Sequence, residues 1–129
     1  MNELTRIDKN TISTIEKNGI ADLVKPLTRE IHLFDTFVAG TSHIKDEKVF
    51  DDIKIEDELV LLREDNKFDS KAILIKTKKN EKLGYIPEKD NVIFSRLMDA
   101  GKLLKARVKT IEKLKGFTKI QISIFLFDL

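Results

Sequence analysis

Between Arg63 and Ile73 the chain reads R-E-D-N-K-F-D-S-K-A-I, placing an amide, a ring and a carboxylate at Asn66, Phe68 and Asp69. A ring beside hydrogen-bonding groups can stack a nucleobase and hold a sugar hydroxyl. The same letters also serve architecture: Asp65 and Asn66 make a turn, Phe68 enters the core, and Asp69 pairs with Arg63. A third reading takes Asp69-Ser70-Lys71 as the D-x-K end of a metal-dependent nuclease. Asp51, Asp52 or Asp57 would then supply the second carboxylate, and Lys71 would polarise the attacking water.

Other catalytic chemistry finds little material. The five glycines, at positions 19, 40, 84, 101 and 116, stand singly and no G-K-[ST] occurs, which argues against ATP hydrolysis. There is no G-x-S-x-G elbow, and His32 and His43, eleven positions apart, are the only imidazoles for a base or a metal. With no cysteine in 129 residues, disulfides, thiolate nucleophiles and cysteine-held metals are excluded. A reducing, cytoplasmic setting is expected, without cofactor or metal. Ile120 to Leu126 is far short of the roughly 18 apolar residues of a membrane span, and Met1 to Asn10 has no apolar run that would read as a leader.

Charge is arranged in blocks. The 24 basic and 22 acidic residues nearly cancel, yet Lys45 to Asp69 carries a net −5 and Lys102 to Lys119 a net +6. Within the basic block Lys105, Arg107 and Lys109 alternate with Leu104, Ala106 and Val108, so a strand would point the cations to one face. That face is either a solubilising surface or a stripe for tracking phosphates. The acidic block, together with an amphipathic amino terminus, offers a surface for a protein partner instead.

These groups need a scaffold. Residues 1–30 read as a helical arm of two short helices, with apolar residues at threes, fours and fives, Ser13 and Glu16 as a capping box, and Asn18-Gly19 as a stop. From residue 31 to 129 short β runs take over. Strands are expected over Leu33 to Gly40, Glu58 to Arg63, Ala72 to Thr77, Lys82 to Ile86, Leu103 to Ile111 and Lys119 to Phe127. One helix, Lys89 to Ala100, is inserted, with Asp90 as N-cap, Gly101 beyond its end, and Val92, Ile93, Leu97 and Met98 on its apolar side. The fold class is therefore mainly β with helices: a small, partly closed six-stranded barrel of OB or SH3 kind.

Three blocks then fall in a familiar order: Val38-Ala39-Gly40 with a polar cluster after it, Leu62-Arg63-Glu64 leading to Asn66, Phe68-Asp69 and Ala72-Ile73, and Leu83-Gly84-Tyr85-Ile86-Pro87 before a helix. Over Phe37 to about Leu104 the chain resembles the HIRAN domain. That domain is found amino-terminal to helicase-like chromatin and fork-remodelling enzymes and as small standalone bacterial proteins. The resemblance implies an OB-type barrel that binds single-stranded DNA by pocketing its free 3′ end. It further implies that Ser42 and His43 occupy the first strip of the pocket, and that Phe68 packs on a base, with Asn66 as the neighbouring amide. Asp69 would accept a hydrogen bond from the terminal hydroxyl, Lys71 and Tyr85 would flank the site, and Lys89 would stand in for a basic phosphate contact. The turn is one residue shorter than the usual R-E-P-x-N-P-Y-D form and lacks both prolines.

The expected function is non-catalytic binding of single-stranded or 3′-ended DNA in repair or replication, with a helicase or nuclease as a protein partner. Lys105, Arg107 and Lys109 are the further candidates for phosphate contact. A protein-interaction module and a weak Mg²⁺ nuclease are the competing readings.

Overall fold

The computed structural model describes residues 29–44 and 47–128; the helical arm expected over residues 1–30 lies outside them except for its last two positions, which are strand. The described strands are β1 (Arg29–Phe37), β2 (Glu58–Glu64), β3 (Ala72–Thr77), β4 (Lys82–Tyr85), β5 (Leu103–Leu114) and β6 (Phe117–Asp128). They form one sheet in the order β1-β6-β5-β2-β3-β4, and every pairing with a defined register is antiparallel. A short helix, α1 (Val49–Asp52), precedes β2, and α2 (Glu88–Asp99) links β4 to β5.

Alternation sets the faces. In β6, Ile120, Ile122 and Ile124 are fully buried, and in β5 Leu104, Ala106 and Val108 join them while Lys105, Arg107 and Lys109 turn outward. This follows from successive side chains leaving opposite faces of a strand. The inner face continues through Leu59, Leu61, Ile73 and Ile75 and is covered by Val49 and Phe50 of α1 and Phe94 of α2. Glu30–Asp128 packs as one unit. The β5–β6 ladder runs past the expected strand ends to Leu114 opposite Phe117, where Gly116 takes the positive φ of +92° that closes the hairpin.

Three expectations are corrected. The sheet does not close into a barrel: its edges are β1 and β4, and beyond β1 one isolated bridge joins Ala39 to Tyr85. Gly40 turns the chain away at once, and β4 is only four residues long with a proline two positions beyond it, so no longer ladder can form. Asp90 is not the cap of α2. Pro87 holds that position, and Asp90 in the first turn accepts a hydrogen bond from Thr36 Oγ1 at 2.7 Å, fastening the helix to β1. The helix is also rolled from the expected side: Leu97 and Met98 pack against the core as expected, but Asn91, Phe94 and Ser95 are buried, while Val92 and Ile93 are exposed.

Candidate nucleic-acid interface

The turn between β2 and β3 is built by side chains standing in for missing backbone partners. Asn66 Oδ1 accepts from the Phe68 and Asp69 amides at 2.9 and 2.8 Å, which compacts the short turn without the prolines. The Asn66 amide group donates to Glu64 Oε1 at 2.8 Å. Arg63 clamps the far side: its guanidinium donates to the carbonyls of Ala72 and Ser70 and forms a two-point pair with Asp99 of α2. Pairing with Asp99 raises the pKa of Arg63, and Asp99 is held below the usual carboxylate range by that same hydrogen bond.

This corrects the architectural reading of the turn on two points. Arg63 makes its ion pair with Asp99 rather than with Asp69. Phe68 does not enter the core but projects, 87% exposed, with the Lys67 ammonium 5.2 Å from its ring centre. Asp69 is held from both sides, Oδ1 by the Lys71 amide at 2.9 Å and Oδ2 by the Asn91 side chain at 2.8 Å. Each oxygen accepts two hydrogen bonds when fully used, so a lone pair remains on both for a further donor.

A cleft of about 320 Å³ opens here, lined by Ala39, Asn66, Phe68, Asp69, Ala72, Tyr85, Ile86 and Glu88. Phe68 and Tyr85 are its rings. The Tyr85 hydroxyl donates to Glu64 Oε1 at 2.8 Å and accepts from Lys82 Nζ at 3.3 Å, and the Lys82 ammonium lies 4.7 Å from the ring centre. The hydrogen bonds from Asn66 and then from Tyr85 hold the Glu64 carboxyl below its ordinary pKa. Cleft chemistry thus combines two stacking surfaces, a poised acceptor and a second carboxylate, Glu88. Such a lining offers carboxylate acceptors to a hydrogen-bond donor, with the Lys67 and Lys82 ammoniums beside its two rings.

Of the residues singled out in the sequence, Asn66, Phe68, Asp69 and Tyr85 meet in this cleft. Ser42 and His43 do not line it; they are exposed on the 3₁₀ turn Thr41–His43, just after Gly40. Lys71 contributes its backbone amide, and its ammonium acts on Asp99. Lys89 lines a separate groove of about 340 Å³ with Phe34 and Ile93. Lys105, Arg107 and Lys109 share one face, paired with Glu58, Glu30 and Asp35. Among the described residues no three His, Asp or Glu side chains gather as a metal site; Asp51 pairs with Lys113, and Asp57 accepts from the Lys54 amide. The sequence reading missed Asn91, Glu64 as a bridge to Tyr85, and Glu88. Asn91 could have been found from Asn91, Phe94, Ser95 and Met98, which recur at threes and fours.

The first and third of the blocks quoted from the sequence meet at the bridge. Ala39 and Tyr85 exchange both backbone hydrogen bonds, at 2.8 and 2.9 Å, and Gly84 lies so close that a Cβ there would sit 2.2 Å from the Ala39 carbonyl oxygen. Residues 31–126 match the model of the HIRAN domain. The chain belongs to the HIRAN domain family. Among solved structures, a protein from Lactobacillus plantarum aligns at a TM-score of 0.73 and 24% identity, over 79% of this chain and 99% of that one. The HIRAN domain of human HLTF aligns at 0.62 and 14% identity, over 76% and 78%. At these identities the neighbours establish the fold, an OB-like HIRAN sheet with a helix across it. No curated protein matches the sequence. Membership in the HIRAN family supports nucleic-acid binding. No helix among the described residues is long and apolar enough to cross a membrane.

Proposed function

We propose that this HIRAN domain is a non-catalytic module that binds single-stranded DNA and seats its free 3′-hydroxyl end in the cleft, serving repair or replication. The observation that carries this reading is the pairing of an 87% exposed Phe68 ring with the adjacent Asp69 carboxylate, fixed by Lys71 and Asn91. The ring takes the terminal base and the carboxylate accepts from the sugar hydroxyl. Glu88 and Asp69 together disfavour an end that carries phosphate.

Magnitudes agree with a modest binder. Stacking contributes about 1–3 kcal/mol per base, and a hydrogen bond to a charged acceptor about 1.5–3 kcal/mol. One or two stacked bases and one such bond reach micromolar affinity, about 8 kcal/mol, at the upper end of these ranges, and tighter binding needs phosphate contacts as well. The test is fluorescence anisotropy with oligonucleotides ending in 3′-hydroxyl or 3′-phosphate. The hydroxyl end should bind about tenfold or more tightly, and Asp69→Asn should shrink that ratio. Equal affinity for the two ends in the unmodified protein would refute end recognition.

A further inference from the structure

The cleft leaves a second set of rings unexplained. On the outer face of the sheet, β6 points Phe125 and Phe127 outward two residues apart, and each ring is covered by a cation from β5. The Arg107 guanidinium lies 4.6 Å from the Phe125 ring centre, and Lys105 Nζ lies 4.8 Å from that of Phe127. The ladder register sets this arrangement, with Lys105 opposite Phe125 and Leu103 opposite Phe127. Leu103 is 54% exposed, and Val60 of β2, opposite Lys105, extends the apolar surface sideways.

We propose that this face is a second binding site for single-stranded nucleic acid, one that grips the interior of a strand and needs no end. Two rings on alternate residues of one strand are spaced by about 6.8 Å along it, and each carries its own cation. Lys105 and Arg107 cover these rings in the free protein, so consecutive bases stack there as the two cations swing from the ring faces to the phosphates. The acids on this face are what a bound strand must displace. Glu30 binds the Arg107 guanidinium with both oxygens, and Glu58 is shared by Lys105 and Lys78 at 3.1 and 3.4 Å. Both carboxylates hold the places that phosphate oxygens would take, so a bound strand replaces them and the free protein keeps its cations ordered. Glu58 serves two ammoniums with one charge, which leaves net positive charge beside Phe127.

This site is independent of the cleft, and a ligand without ends separates them. The probe is a circular single-stranded DNA, titrated by anisotropy over a range of salt. The protein should bind it, with log affinity falling by about 0.7 per log unit of salt for each phosphate engaged. Phe127→Ala should weaken that binding about tenfold, Lys105→Gln should weaken it and flatten the salt slope, and Glu58→Gln should tighten it several-fold. Asp69→Asn should leave it unchanged. A circular strand that does not bind, or binds equally well after Lys105→Gln and Phe127→Ala, overturns the proposal; a face reserved for an acidic peptide gives that first result. Lys105→Gln, a surface change, decides the matter if Phe127→Ala fails to fold. Failure of the cleft reading shows elsewhere, as equal binding of linear 3′-hydroxyl and 3′-phosphate strands.

Discussion

The side-chain amide of Asn91 donates to Asp69 Oδ2 across 2.8 Å, so a buried residue of α2 orients the carboxylate at the cleft. Replacing Asn91 by Ala removes that donor. Asp69 then keeps only the Lys71 amide and rotates freely about its remaining contact. Stability should fall by about 1 kcal/mol, and the preference for a 3′-hydroxyl over a 3′-phosphate end should drop further than overall affinity. Urea denaturation and paired-oligonucleotide titrations measure the two effects; an unchanged preference would mean that Asp69 needs no orientation.

Gly84 supports a sharper expectation, because its backbone touches the Val38–Ala39 segment beyond β1. A Cβ there would stand 2.2 Å from the Ala39 carbonyl oxygen and 2.7 Å from Val38 Cγ1, so Gly84→Ala must push the bridging segment away. Overpacking of this kind costs about 1–3 kcal/mol. Gly116→Asn is the matched control, since nothing lies near a Cβ at that hairpin turn and Asn tolerates its positive φ. Thermal melts should separate the two variants clearly, and equal melting temperatures would contradict the close approach.

Arg63→Lys keeps the charge and loses the fork. Four donor contacts, to Asp99 and to the carbonyls of Ala72 and Ser70, depend on guanidinium geometry that an ammonium cannot reproduce. The substitution should destabilise by about 1–3 kcal/mol and weaken cleft binding through a looser turn. Glutamate scanning of the turn is unnecessary; the difference between Arg63→Lys and the parent protein in hydrogen exchange at the Phe68 and Asp69 amides reports the loosening directly.

Acid should destabilise the fold in a defined direction. Hydrogen bonds from Lys109, then Ser123, then His32 hold the Asp35 carboxyl well below the usual carboxylate range, and those from Asn66 and Tyr85 lower Glu64. A carboxyl whose pKa is depressed by folding contributes its stabilisation fully above its unfolded value of about 4, and loses it as pH falls through the folded value. The denaturation midpoint should therefore decline below about pH 4. Asp35→Asn should flatten that decline and cost about 0.2–1 kcal/mol at neutral pH. An unaltered pH slope in the variant would rule out the Asp35 network as its source.

How much of this was legible depended on whether the deciding contacts were local. Alternation in Ala72–Thr77 and through Leu104, Ala106 and Val108 is a property of neighbouring residues, and both strands are where the pattern puts them. The hairpin ends were not legible, because Glu112 and Lys119 pair in a ribbon that needs no core beneath it. Helix α2 misled for the opposite reason. Val92 and Ile93 look like core by type, but the roll of the helix is set by partners far away in sequence, Asp69 on Asn91 and Phe34 on Phe94. The cleft was half legible: Asn66, Phe68 and Asp69 are nearly contiguous, whereas the distance between them and His43 depends on how the 3₁₀ turn leaves Gly40.

The Ala39–Tyr85 bridge has a mechanical implication. Among the described residues, one pair of backbone hydrogen bonds makes up the direct backbone pairing between the two margins of the sheet, and Tyr85 belongs both to that pairing and to the cleft wall. Loss of that one bridge would leave every continuous ladder of the sheet intact, so a change at Tyr85 reaches the cleft wall before it reaches the rest of the fold.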